Sequence, residues 1–154
     1  MKKLNCLVAL ASFAFGLSVQ AAVTHLALEY RALLSNAELF HPVQMSEVPA
    51  SVVALIADGS GRLAAPGEAW QPTDVLGNLP HKRLVWVGVA KNYYLLHYER
   101  GGFVHAFNVA LIQLGGDNRP DLLWHAATGL YSDLPDFAKA LEANLPDDNP
   151  SYAY

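Results

Sequence analysis

Within the stretch LLHYERGGFVHAF, residues 95–107, two histidines and a glutamate flank a Gly-Gly pair. Imidazole and carboxylate groups at close quarters suit two kinds of chemistry, ligation of a divalent metal or paired acid and base work. Either use requires the chain to double back between His97 and His105. The flanking segments are rich in aromatic and β-branched residues, and Arg100-Gly101-Gly102 offers turn chemistry between them. A β-hairpin is therefore the element that would bring the three side chains together.

Register decides whether it does. A three-residue loop at Arg100-Gly101-Gly102 sets His97 opposite His105, Glu99 opposite Phe103 and Leu95 opposite Phe107. A two-residue turn at Gly101-Gly102 instead sets Ala106 opposite His97 and sends His105 to the face of Tyr98. Both loops are common, and we favour the first. On that register His97, Glu99 and His105 are weak metal candidates. A catalytic zinc takes three protein ligands and a water, and same-face positions on a strand lie about 6.5 Å apart, so Glu99 would have to lean back toward the imidazoles. The plainer reading has His97 and Tyr98 on a half-buried sheet and Glu99-Arg100 in a solvated turn. No metal or other cofactor is expected and no catalytic residue is assigned.

The other chemistry-bearing residues are more dispersed. A tight hairpin pairs His125 with Ala110, several rungs from His105, while His25, His41 and His81 read as surface or structural residues. No serine lies in the G-x-S-x-G turn of hydrolases; DGSGR, residues 58–62, reads as a helix-ending turn with Gly59 in the left-handed conformation. Asp117, Asn118 and Asp121 lack the twelve-residue spacing of a calcium loop. Trp86 and Trp124 fall in strand patterns and belong to the core or its edge. Trp70 lies in PGEAWQPTD between two prolines, where no period demands burial. It is either a plug pinning that segment to the sheet or an exposed contact; we favour the plug and keep Trp70 beside His97, Glu99 and His105 as a binding candidate.

The elements that must position these residues follow from periodicity. Apolar positions 23, 26, 30, 33 and 34 share one helix face, and a second short helix follows Pro49 with Val52, Val53, Leu55 and Ile56 on a stripe. Residues 60–80 carry six glycines and prolines and predict an extended, loop-rich belt. Four strands are expected near Arg83–Ala90, Tyr93–Glu99, Phe103–Leu114 and Leu122–Ala127. Their connections are too short for parallel crossovers, so they form an antiparallel meander. A last helix runs from about Pro135 to Asn144, with Asp133 as N-cap and Pro146 as stop. The fold class is α+β, a four-stranded antiparallel meander in the C-terminal half flanked by two or three short helices.

Lys2 and Lys3 precede an apolar run from Leu4 to Val19 that closes on Val19-Gln20-Ala21. This is the pattern of a signal peptide, with small residues where the peptidase reads them. The expected domains are a cleaved segment 1–21, a single globular domain 22–145 and a loose tail 146–154. Cleavage after Ala21 leaves 133 of the 154 residues, enough for one domain with its own core, and removes Cys6, the only cysteine. Thiol chemistry and disulfides are then excluded. Loss of Lys2 and Lys3 shifts the formal net charge from −4 to −6. An acidic chain without a basic cluster excludes nucleic acid as a partner, and the mature chain has no stable membrane anchor.

These readings favour an exported, periplasmic or secreted, binding or accessory protein that acts by surface recognition, as inhibitors and immunity proteins do, its partner another envelope protein. The alternative is a periplasmic enzyme or metal-binding protein using the 93–107 hairpin. A third reading is a binder of a small apolar ligand under the loop-rich belt.

Overall fold

The computed structural model describes residues 26–75 and 77–143. The expected signal peptide, the first position of the first apolar stripe (Val23) and the tail from residue 144 lie outside the described residues.

The second half of the chain forms the sheet. Four long strands, β2 (Lys82–Ala90), β3 (Tyr93–Arg100), β4 (Ala106–Leu114) and β5 (Pro120–Thr128), run antiparallel in sequence order. Their rows of Val, Leu, Ile, Tyr and Trp fit a pleated surface buried on both sides. The expected four strands become five, because His41–Pro42 pairs as β1 with Val89 and Gly88 on the outer edge of β2. Two residues bounded by a proline carry no periodic signal, so only the tertiary arrangement reveals this strand. The protein is α+β, with a five-stranded antiparallel sheet and three helices.

Helices cover both faces. Helix α1 (Leu28–Ser35) and helix α3 (Leu134–Ala143) pack on one, where Leu34, Phe40, Leu95, Val109, Leu111, Trp124, Leu134 and Phe137 form a core. Helix α2 (Ala50–Ile56) packs on the other with Val52, Ile56, Leu84, Leu96, Tyr98, Ala110 and Ile112. Helix α3 starts as its sequence dictates: Asp133 Oδ1 accepts the Asp136 amide at 2.8 Å, and Pro135 occupies the first turn. Helix α2 stops at Ile56, and its exit differs from expectation. The left-handed glycine of DGSGR is Gly61 (φ 75°), and Gly59 is not in that region. Asp58 organises the loop instead, its carboxylate accepting the amides of Ser60, Arg62 and His81 and the Ser60 hydroxyl.

Two irregularities shape the end of the sheet near the candidate residues. Strand β2 bulges between Leu84 and Trp86, so Val85 has no partner on β3. The extra residue returns Trp86 to the face that Arg83 already occupies. The β3–β4 connection is wider than either expected loop. Arg100 pairs with Ala106, leaving five residues, Gly101 to His105, outside the ladder. Phe103 and Val104, expected in a strand, stand in that loop, 95 % and 62 % exposed. The belt reaches the same end: Ala64 bridges to Arg83, and the Pro72 carbonyl accepts the Gly102 amide at 3.2 Å.

Candidate functional site

The widened loop changes every pairing that sequence suggested for the hairpin. His97 lies opposite Val109, so the expected pairing of His97 with His105 is not formed; Glu99 faces Phe107 rather than Phe103. Five loop residues were not foreseen because Phe-Val reads locally as strand and the belt that holds Gly101 and Gly102 is remote in sequence. His125 does lie opposite Ala110 as expected.

His97 is completely buried, and both its ring nitrogens are engaged. Nδ1 lies 3.0 Å from the Asn108 carbonyl oxygen, and Nε2 lies 3.2 Å from the Tyr131 backbone nitrogen. A carbonyl only accepts and an amide N–H only donates, so the proton sits on Nδ1 and Nε2 is the acceptor. Burial lowers the pKa of this ring, outweighing the Asn108 carbonyl and Glu99, which favour the cation. A neutral imidazole with both nitrogens committed is a structural strut. It also fixes the loop after β5, since Trp86 Nε1 donates to the carbonyl of the same Tyr131 at 3.0 Å.

Glu99 and His105 do meet. The Glu99 carboxylate is nearly buried, and its Oε2 lies 2.8 Å from His105 Nε2. Its other oxygen, Oε1, accepts from Arg83 Nε at 2.6 Å and lies 2.5 Å from Nη2. Arg83 is directly opposite Glu99 on β2, and this cross-strand pair is what allows a carboxylate to be buried here. Trp70 closes the group. Its ring centroid lies 5.1 Å from the Arg83 guanidinium carbon and 5.4 Å from the His105 ring, and His105 in turn packs 4.9 Å from Phe107. Trp70 is half-buried, so it both pins the belt and leaves an edge of ring in solvent.

Four of the relevant side chains, Trp70, Arg83, Glu99 and His105, thus form one stacked and ion-paired group at the end of the sheet, with His97 behind it. Arg83 was the member sequence reasoning missed. Its signal was present in the cross-strand position two residues before the bulge, but that requires knowing the register. A Glu-oriented imidazole that is partly exposed can transfer protons, yet among the described residues no hydroxyl or thiol is hydrogen-bonded to His105. Among the described residues no three His, Cys, Asp or Glu side chains converge as metal ligands.

Beside this group lies a cleft of about 270 Å³ between the belt and the bulge of β2, with Phe107 and Leu130 on its other side. A separate polar cluster occupies the α2 face. The Tyr98 hydroxyl lies 2.7 Å from His125 Nε2, and Lys82 sits 5.4 Å from the centre of the Tyr98 ring while donating to the Ile56 and Ala57 carbonyls at the end of α2. Burial, with Lys82 and Arg100 adding to it, lowers the His125 pKa to about 4, and burial raises that of Tyr98. Comparison of the chain with protein-family models, with curated proteins and with solved structures finds no match in any of the three.

Proposed function

We propose that this is an exported binding protein that recognises another envelope protein through the Gly101–His105 loop, with Phe103 as its anchor. The observation that supports this reading is the 95 % exposure of Phe103 at the tip of a loop whose base is fixed. Gly101 donates to the His81 carbonyl at 2.8 Å, Gly102 donates to Pro72, and His105 is tied to Glu99. An aromatic side chain held in water by a rigid base loses little entropy when it enters a partner's pocket, which is the design of an interface hot spot. Val104, the next residue along the loop, adds to the exposed apolar surface beside it.

Export rests on the basic and apolar pattern of residues 1–21. Among the described residues no helix is long and apolar enough to cross a membrane. N-terminal sequencing of protein recovered from the cell envelope should begin at Ala22; a chain beginning at Met1 rejects export by this route.

A photo-crosslinking residue in place of Phe103, expressed in the source cell, tests recognition. The expected result is one discrete adduct that is missing when the same residue replaces Asp117 at the opposite end of β4. Equal yields at the two positions, or none at either, reject the loop as a recognition element.

A further inference from the structure

We propose that the cleft beside Glu99 is a binding site for a small, uncharged aromatic molecule that carries one hydrogen-bond donor. This inference is independent of the loop-tip reading, since it concerns the space between the belt and β2.

Three features of the cleft define the occupant. The first is size: about 270 Å³ is roughly twice the apolar cavity of about 150 Å³ that accepts benzene, which suits one substituted ring or a fused pair. The second is charge. Among the described residues the only ionised groups in the lining are Arg83 and Glu99, and they neutralise each other at 2.5–2.6 Å, so an ionic ligand would gain no counter-charge. Val85, Phe107 and Leu130 supply apolar wall, with the Pro66-Gly67 turn on the belt side; the Leu84 side chain is buried in the α2 core, so only its backbone is left to line the cleft. A flat ring satisfies such a lining by packing on Phe107.

The third feature is the bulge. The Leu84 amide donates outward to the Ala64 carbonyl at 2.9 Å, away from β3. In an antiparallel strand the amide and carbonyl of one residue point to the same edge, so the Leu84 carbonyl also turns outward, toward the belt side of β2 just before the Val85 bulge. The belt bridges β2 at Arg83 and β1 joins it at Gly88, and among the described residues no strand pairs with the edge between them. A ligand O–H or N–H would complete that carbonyl as a neighbouring strand would.

The test uses p-cresol as probe and toluene, which lacks the hydroxyl, as control. Amide and indole resonances of the purified protein are followed by NMR during titration. The expected result is saturable shifts at Val85, Gly67 and the Trp70 indole with p-cresol, and affinity at least fivefold weaker for toluene. Leu130→Trp fills the mouth from an exposed position and should weaken p-cresol at least tenfold without lowering the melting temperature. If that variant melts early, Pro66→Trp, on the opposite rim and also exposed, takes its place. Absence of saturable shifts up to the solubility limit overturns the site, as do shifts centred away from Val85 and Gly67 or an affinity unchanged by the filled mouth. Equal affinity for toluene overturns the donor requirement.

Discussion

At the scale of single residues, buried His97 and half-buried His125 differ in what holds them, and each makes its own prediction. His97 packs against Trp86, Phe107 and Tyr131 and bonds two backbone groups, the Asn108 carbonyl and the Tyr131 amide. His97→Ala should therefore cost about 3 to 5 kcal/mol, from lost packing and two lost hydrogen bonds, and urea melts will measure it. A loss below about 1 kcal/mol would contradict the strut. His125 sets the acid limit of the fold. Its folded pKa of about 4 lies below the ordinary histidine value of 6.5. The unfolded chain therefore takes up a proton near pH 6.5 while the folded chain does not, and stability falls as pH drops from about 6.5 to 4. The loss is about 2 to 3 kcal/mol for this depression, and the lowered pKa of His97 adds in the same direction. Denaturation at pH 7 and pH 4.5 should show it, and His125→Gln should remove most of the difference. Equal slopes for variant and wild type would show that His125 is not the group responsible. Asp58 extends the trend further down: burial opposes ionisation, but bonds from Ser60, His81 and Arg62 hold its pKa at about 2, so its contribution is lost as pH falls below the usual carboxylate range.

At the scale of elements, the Gly101-Gly102 pair is required, but for two different reasons. Gly102 has φ 130°, a conformation that strains any side chain. Gly101 has no such constraint; a Cβ there would run into the Gln71 carbonyl and the Pro72 backbone, because the belt crosses directly over it. Gly102→Val should cost about 1 to 3 kcal/mol by strain alone. Gly101→Val should cost more and also release Trp70 from His105, which a change in tryptophan fluorescence reports. If both variants melt with the wild type, the crossing of belt and loop is wrong. Helix α3 offers a smaller, cleaner test: Asp133→Ala removes the bond to the Asp136 amide and should cost about 1 kcal/mol.

At the scale of the whole molecule, two cores share one sheet. Leu95 and Leu96 are neighbours on β3, yet the first belongs to the α1–α3 core and the second to the α2 core. Neither core is complete without the strands, so they should unfold together despite having no common side chains. Calorimetry of Val52→Ala and Phe137→Ala should show one transition, shifted down in both, with calorimetric and van't Hoff enthalpies equal. Two resolved transitions in either variant would mean that the faces are separate units.

The sequence by itself determined most of the local structure. Alternating apolar runs marked four strands within a few residues, short connections required antiparallel pairing, and Asp133-Leu134-Pro135 marked a helix start, because each of these depends on contacts among near neighbours. The candidate site was half legible: Glu99, His105 and Trp70 were singled out, and they do stand together. What only the tertiary structure decided was the company they keep. Arg83 reaches Glu99 because of strand register, and Trp70 reaches both Arg83 and His105 because the belt returns over Gly101, thirty residues further along the chain. His97 looked like a partner for His105 and is instead a strut for Tyr131, thirty-four residues away. A loop of five residues rather than three moved every pairing beyond it, and the groups that hold that loop, His81 and Pro72, belong to segments whose periodicity says nothing about where they fold.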